Sequence, residues 1–367
     1  MAIIPIDHDA IMDMKPPVTR RGAIGWAKEH LFDGVFNTLL TLAVLGLLLK
    51  LVPPFFKWAI LDSVWFSTGQ VCKECPGACW SVIFKNMRFL IFGFYPNDLH
   101  WRPAGAMAIL FTLLYFSNHK KYWSRFLAYG WVLGLFSMGI LMSGGLFGLS
   151  IVESSKWGGL PLTLLLSIFG LTAAYPLGVI LALGRGSEMP VIRYFSIAYI
   201  EMIRGVPLIS LLFMSSIIFP LFLPEGITLN KILRAQAAII FFTAAYVAEV
   251  VRGGLQGMPK GQYEAAQSLG LNYYQTMRLI ILPQALKIVI PPSVSVLISA
   301  FKDTSLVVII ALYDFLLTSK TVIANPEWLG FSTEMYLFVA LIYFLGCFSM
   351  SNFSRKLERE LDTDRRS

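Results

Sequence analysis

Apolar residues gather into eight runs, near 34–52, 104–118, 126–149, 160–183, 206–223, 236–251, 286–301 and 333–350, separated by polar stretches. A helix that crosses a bilayer needs about 20 predominantly apolar residues. The pattern therefore predicts an all-α polytopic membrane protein with about eight transmembrane helices. The run at 104–118 is the shortest fit; those at 236–251 and 286–301 are also short, and tilt or interruption accommodates them. Pro176, Pro207, Pro291 and Pro292 are expected to interrupt their runs. The carbonyls so freed are tolerated where they line protein or water, and broken helices of this kind mark transport sites near the midplane.

Composition supports lipid as the solvent. Of the 367 residues 56% are hydrophobic and 14% charged, against roughly 25% charged in soluble domains. The net charge of +8 does not indicate a nucleic-acid partner, because the basic residues form no stripe with interleaved aromatics. They collect between the apolar runs, as they do in cytoplasmic loops. Lys120, Lys121 and Arg125, then Arg185, Arg193 and Arg204, then Arg252, Lys260, Arg278 and Lys287, and finally Arg355, Lys356, Arg359, Arg365 and Arg366 mark one side. That places both termini in the cytoplasm and requires an even number of crossings. Residues 1–33 mix acidic and basic residues with Pro16 and Pro17, so the first run reads as an uncleaved span rather than a signal peptide.

The chain divides by character. Residues 1–150 are read as a three-span extension with a long extracytoplasmic segment, 53–103; 155–352 as a five-span core with a cytoplasmic loop at 252–287; and 353–367 as a cytoplasmic tail. Cys72, Cys75 and Cys79 lie in the extracytoplasmic segment, where disulfides persist. A bond from Cys72 or Cys75 to Cys79 is expected; free thiols, or a zinc cluster lacking its fourth ligand, are the alternatives.

The loop 252–287 is too polar to span and too patterned to be a linker. Helix formers surround Glu264-Ala265-Ala266. Gly270 is placed to end that helix at positive φ, and Asn272 to cap a second helix over 273–282 with Gln275 at its third position. Pro283 is expected to break the chain at membrane re-entry. The elbow so formed is expected to expose Glu264 and a small-residue face of Ala265 and Ala266, open to close approach and directional polar contact. An ordinary amphipathic surface helix satisfies the same local pattern.

The spacing Glu264-Ala265-Ala266, three residues, Gly270, nine residues, Ile280, one residue, Leu282-Pro283 resembles the EAA motif of ABC importer permeases. Gly159–Ser167, Tyr199–Leu208, Ala245–Gly254 and Phe301–Leu306 resemble signatures of the polar amino-acid, histidine/glutamine type. The N-terminal extension and Gly77-Ala78-Cys79-Trp80 resemble the longer permease of general L-amino-acid uptake systems. The resemblance implies a bacterial inner-membrane subunit with a five-span core. It also implies a second permease subunit, a cytoplasmic ABC ATPase dimer that binds ATP and Mg, and a periplasmic amino-acid-binding protein. In that setting Glu264, Ala265, Ala266 and Gly270 couple to the ATPase.

No Gly-x-x-x-x-Gly-Lys-Ser/Thr loop exists in the chain, so it is not expected to cradle ATP by that route; with the resemblance, the expectation is a transport subunit that borrows its ATPase and has no cofactor or metal of its own. Glu201, Arg204, Glu249, Lys302 and Asp303 lie at or near span ends, where charge is costly unless paired or facing a cavity. Glu201 with Arg204, and Glu249 with Arg252, are three apart and can meet on one helix face. Anchoring at the interface and contact with substrate are both open for these residues. An autonomous ion-coupled transporter is the alternative; it calls for acidic residues in mid-span, and none lies convincingly there. A membrane enzyme lacks support, since His8, His30, His100 and His119 all fall outside the spans.

Overall fold

The computed structural model describes residues 22–366 apart from 225 and 227. The N-terminal charges before residue 22, expected in the cytoplasm, lie outside the described residues. Fifteen α-helices follow in order: α1 Gly22–His30, α2 Val35–Phe56, α3 Gly69–Glu74, α4 Ser81–Phe92, α5 Trp101–Ser117, α6 Arg125–Ser143, α7 Gly159–Arg185, α8 Pro190–Arg204, α9 Leu208–Phe213, α10 Lys231–Gln256, α11 Lys260–Ser268, α12 Tyr273–Thr276, α13 Leu282–Asp303, α14 Phe315–Ile323 and α15 Ser332–Arg366. The chain divides into two units between Trp80 and Ser81.

In the first unit the leading span runs on to Leu61, past the expected end at residue 52. Pro53 and Pro54 lie inside α2 without ending it. Proline removes a donor from the helical ladder, and the Lys57 N–H turns back to the carbonyls of both prolines as the helix widens into a π-turn over Lys57–Leu61. No side chain of Val35–Phe56 is buried, as suits a helix solvated by lipid. Below it, Cys72 is bonded to Cys79 with Cα atoms 5.6 Å apart, and Cys75 is a free thiol. The run Gly77–Trp80 locks this segment to the end of the span. A Cβ on Gly77 would lie 2.1 Å from the Asp62 carbonyl oxygen. Ala78 N–H donates to the Trp58 carbonyl, and Trp80 Nε1 donates to the Ala59 carbonyl at 2.7 Å.

In the second unit α7 and α10 form the central pair. Small residues let the helices close. A Cβ on Gly178 would lie 2.6 Å from Val247 Cγ1, and one on Gly254 would lie 2.1 Å from Val289 Cγ1. Where lipid solvates apolar side chains as well as protein does, such close packing supplies the attraction between helices. Ala174, Leu181, Ala244, Val247, Ala248 and Val289 fill one end of this seam, and Leu162, Leu166, Leu212, Ile239, Val307 and Ile310 the other. Helices α5 and α6 pack beside α7 through Ala106, Leu110, Met138, Met142 and Leu165.

Six described helices are long and apolar enough to cross a membrane, and α8 with the stretch Leu208–Phe222, bent by 103°, forms a seventh crossing if counted as one span. The apolar run at 104–118 lies in the 17-residue α5. At 1.5 Å per residue that helix is about 26 Å long, against a hydrocarbon core of about 30 Å. Among the four prolines expected to interrupt spans, Pro207 stands at the one break. Pro176 in α7, and Pro291 and Pro292 in α13, sit inside continuous helices. Neighbouring helices pack around those turns, which is how membrane helices tolerate the lost donor.

Candidate functional site

The elbow is built by local chemistry. Helix α11 stops where Gly270 takes φ +73°, and Gly270 N–H and Leu271 N–H return to the carbonyls of Gln267 and Ala266. This satisfies carbonyls that the helix end would leave unpaired. Two residues later Asn272 and Gln275 form a reciprocal capping box: Gln275 N–H donates to Asn272 Oδ1 at 2.9 Å, and Asn272 N–H donates to Gln275 Oε1 at 3.0 Å.

Two features differ from the sequence expectation. Pro283 does not break the chain. A π-turn over Met277–Ile281 takes up the mismatch, and Tyr273–Ile310 is one helical stretch. Ala266 is fully buried rather than exposed. Beneath α11, Met258, Met277, Ile281 and Ala285 form a small core with Tyr263 packed on it, and Gln284 Nε2 donates to Gln262 Oε1 at 3.2 Å. The two limbs are thereby clamped together. Glu264, Ala265, Leu269, Tyr273 and Tyr274 remain exposed. Exposed tyrosines of this kind are enriched where proteins meet. Burial and the neighbouring Tyr273 push the Tyr263 phenol up from its ordinary value.

Inward from the elbow, charged groups converge from three helices. Glu249 of α10 accepts from Arg252 on its own helix, lies 3.4 Å from Arg185 of α7 and 3.5 Å from Arg204 of α8. Glu201 pairs with Arg185 at 2.9 Å. The expected pairing of Glu249 with Arg252 is formed, whereas Glu201 meets Arg185 and Arg204 is drawn to Glu249. A guanidinium reaching across from a neighbouring helix competes with the partner three residues away, and tertiary packing decides between them. The cluster ties the ends of α7, α8 and α10 into one knot.

A cavity of about 440 Å³ opens between α10 and α13, lined by Phe242, Thr243, Tyr246, Ser295, Val296, Ser299, Ala300 and Asp303. Asp303 is half-buried in its wall, and the Arg204 guanidinium stands 5.6 Å from the centre of the Tyr246 ring. Lys302 is exposed and does not line it. Of the charged residues singled out in the sequence, Asp303 therefore faces the cavity, Arg204 touches its wall, and Glu201 and Glu249 belong to the ion-pair knot. Asp303 was singled out in the sequence, whereas the serines that line the cavity with it were not. Their signal is a spacing: Ser295, Ser299 and Asp303 repeat every four residues along a largely apolar span, which puts them on one face.

Comparisons with known proteins assign the chain to a family. Residues 174–363 match the family of binding-protein-dependent transport system inner membrane components. The inner membrane amino-acid ABC transporter permease protein YhdY of Escherichia coli K12 is 46% identical over 349 residues, covering 94% of each chain. The glutamate/glutamine/aspartate/asparagine transport system permease protein BztC of Rhodobacter capsulatus is 38% identical, covering 95% of this chain and 96% of that one. Among solved structures, an amino-acid ABC transporter crystallised with histidines aligns with a TM-score of 0.50 and 30% identity over 55% of this chain and 92% of that chain. Nothing in these relatives favours an ion-coupled transporter.

Proposed function

Since the chain belongs to the inner-membrane permeases of amino-acid ABC importers, we propose that it moves L-amino acids by alternating access, with the elbow as the point where force enters. In permeases of this family ATPase activity resides in a partner subunit. The partners proposed here are a second permease, a cytoplasmic ATPase dimer that binds ATP and Mg, and a periplasmic binding protein that delivers the amino acid. Both termini are placed in the cytoplasm, and with α5 counted as a crossing the spans number eight.

The observation that carries the mechanism is the continuity of the second limb. Tyr273–Ile310 runs without a break from the elbow to Asp303 at the cavity wall. Displacement of the Glu264 face moves the clamped limbs, and through them the helix that supplies Ser295, Ser299 and Asp303. The ion-pair knot of Arg185, Glu201, Arg204, Glu249 and Arg252 holds the ends of the opposing helices while α13 shifts. The polar stripe supplies hydrogen-bonding groups to a small zwitterion, and the Asp303 carboxylate a partner for its ammonium.

The test is uptake of labelled amino acids into vesicles that contain the complete transporter, with its binding protein present. Uptake is expected to require ATP, to survive ionophores that collapse ion gradients, and to fall in the Asp303→Asn variant at unchanged protein level. Uptake abolished by ionophores with ATP intact would refute the proposal, and normal uptake in Asp303→Asn would remove Asp303 from the pathway.

A further inference from the structure

A second cavity, of about 470 Å³, lies at the joint between the elbow and the helix bundle. Its lining includes Arg185 of α7, Arg193 of α8, Arg252 and Gln256 of α10, and Tyr263 and Tyr273 from the elbow. Four arginines (Arg185, Arg193, Arg204 and Arg252) cluster in or beside it, and the ion pairs they make reach two carboxylates, Glu201 and Glu249. Arg193 makes no ion pair or side-chain hydrogen bond among the described residues. The cavity therefore carries a surplus of positive charge, presented by planar guanidiniums whose paired donors match oxyanions.

Helix α8 carries a second signature beside this charge. Its buried side chains are Ser196, Ile200 and Ile203, while Arg193 and Ile197 line the cavity. Val191, Tyr194, Phe195 and Met202 stand more than 60% exposed along the remaining face. Helical spacing sets these four in one stripe, and its Tyr194 edge lies about 60° round the helix from the cavity-lining Ile197. Cation inside and apolar stripe outside, on a single helix, match the two ends of a phospholipid.

We propose that this cavity holds the phosphate-bearing headgroup of an anionic phospholipid, with its acyl chains along Val191, Tyr194, Phe195 and Met202. The headgroup completes the charge balance left by Arg193, and it touches both the bundle and the two elbow tyrosines. An occupied site thus steadies the elbow against the helix ends that it must move. Basic pockets between spans on the cytoplasmic side take anionic headgroups by the same chemistry. The inference rests on the proposed function only in placing this end of the bundle at the cytoplasmic face.

The complete transporter in symmetric nanodiscs tests it without reference to transport or sidedness. Phosphatidylglycerol retained from mixed phosphatidylglycerol–phosphatidylcholine bilayers is counted by native mass spectrometry, with and without inorganic phosphate. Arg193→Gln removes one unpaired surface charge and is expected to weaken phosphatidylglycerol retention about fivefold. Phe195→Ser, which leaves the charge in place, is expected to weaken it as well, while Arg355→Gln on the tail helix leaves it unchanged. Retention equal to wild type in both Arg193→Gln and Phe195→Ser overturns the proposal. So does displacement of the lipid by millimolar inorganic phosphate, which would identify a site for a soluble anion.

Discussion

Replacement of Glu264 by alanine separates an ATPase-docking role from a structural one. The Glu264 side chain is exposed and makes no hydrogen bond or ion pair within the described chain; only its main-chain carbonyl is used, by the Ser268 hydroxyl at 2.9 Å. Alanine is also the better helix former. The substitution is therefore expected to change stability by no more than about 0.5 kcal/mol. At an interface the balance differs. Truncating one member of a desolvated, hydrogen-bonded charge pair costs roughly 2–5 kcal/mol, and the lower figure already corresponds to about 30-fold weaker association. The assay is binding of the purified ATPase to the permease assembly by interferometry, beside ATP-driven uptake and a thermal melt. Glu188→Ala, an exposed glutamate in the turn between α7 and α8, serves as the control of equal charge change. The expected result is an unchanged melt for both variants, with binding and uptake lost for Glu264→Ala alone. ATPase binding by Glu264→Ala equal to that of Glu188→Ala would refute the assignment.

Further outcomes follow from the same geometry. At Gly270 an added Cβ meets nothing within 4 Å, so Gly270→Ala is expected to cost only the left-handed backbone penalty, about 1–2 kcal/mol; Gly270→Asn should recover part of it, read as protease resistance of the elbow. Gly254→Val drives a side chain into Val289 and is expected to lower the melting temperature in detergent by an overpacking cost of about 1–3 kcal/mol. Asp314, fully buried at the start of α14, accepts from the N–H groups of Leu316 and Leu317, yet burial lifts its carboxyl from 3.8 to about 6. The folded state then binds this proton more tightly than the unfolded chain, so the group's contribution to stability is present below pH 4 and is lost as pH rises through about 6. Asp314→Asn keeps a capping acceptor and should flatten that fall in a pH series of thermal melts. Loss of the Cys72–Cys79 bond, which closes a loop of sequence separation 7, is expected to cost about 2 kcal/mol in the Cys72→Ser variant, measured by urea-dependent protease cleavage of the 62–80 segment.

How much of this could be read along the chain depended on how local its cause was. Gly270, Asn272 and Gln275 were legible residue by residue, because helix stops and caps are settled within one turn. The face that α11 turns inward was not legible: Ala265 and Ala266 are chemically alike, and only the position of Met277 and Ile281 beneath the helix decides that Ala266 is the buried one. Pro283 reads as a breaker in isolation, yet the widened turn at Met277–Ile281 carries the helix past it. The partner of Glu201 came from Arg185, 16 residues away on another helix, where no periodicity within α8 could point. The polar stripe of Ser295, Ser299 and Asp303 was present in the spacing, but its significance needed the facing Thr243 and Tyr246 of α10 to enclose a cavity.

Paired spin labels on the complete transporter, with the free Cys75 and Cys347 replaced by serine, test the transmission of force from elbow to cavity most directly. One label is placed at the exposed Ser268 of the elbow, one at the exposed Ile309 at the far end of the long helix, and one at the exposed Thr172 of α7. On addition of a non-hydrolysable ATP analogue the distance between positions 268 and 309 should stay fixed while that between 309 and 172 changes. A distance from 268 to 309 that shifts while 309 to 172 holds would mean that the elbow moves without its helix, contrary to this account.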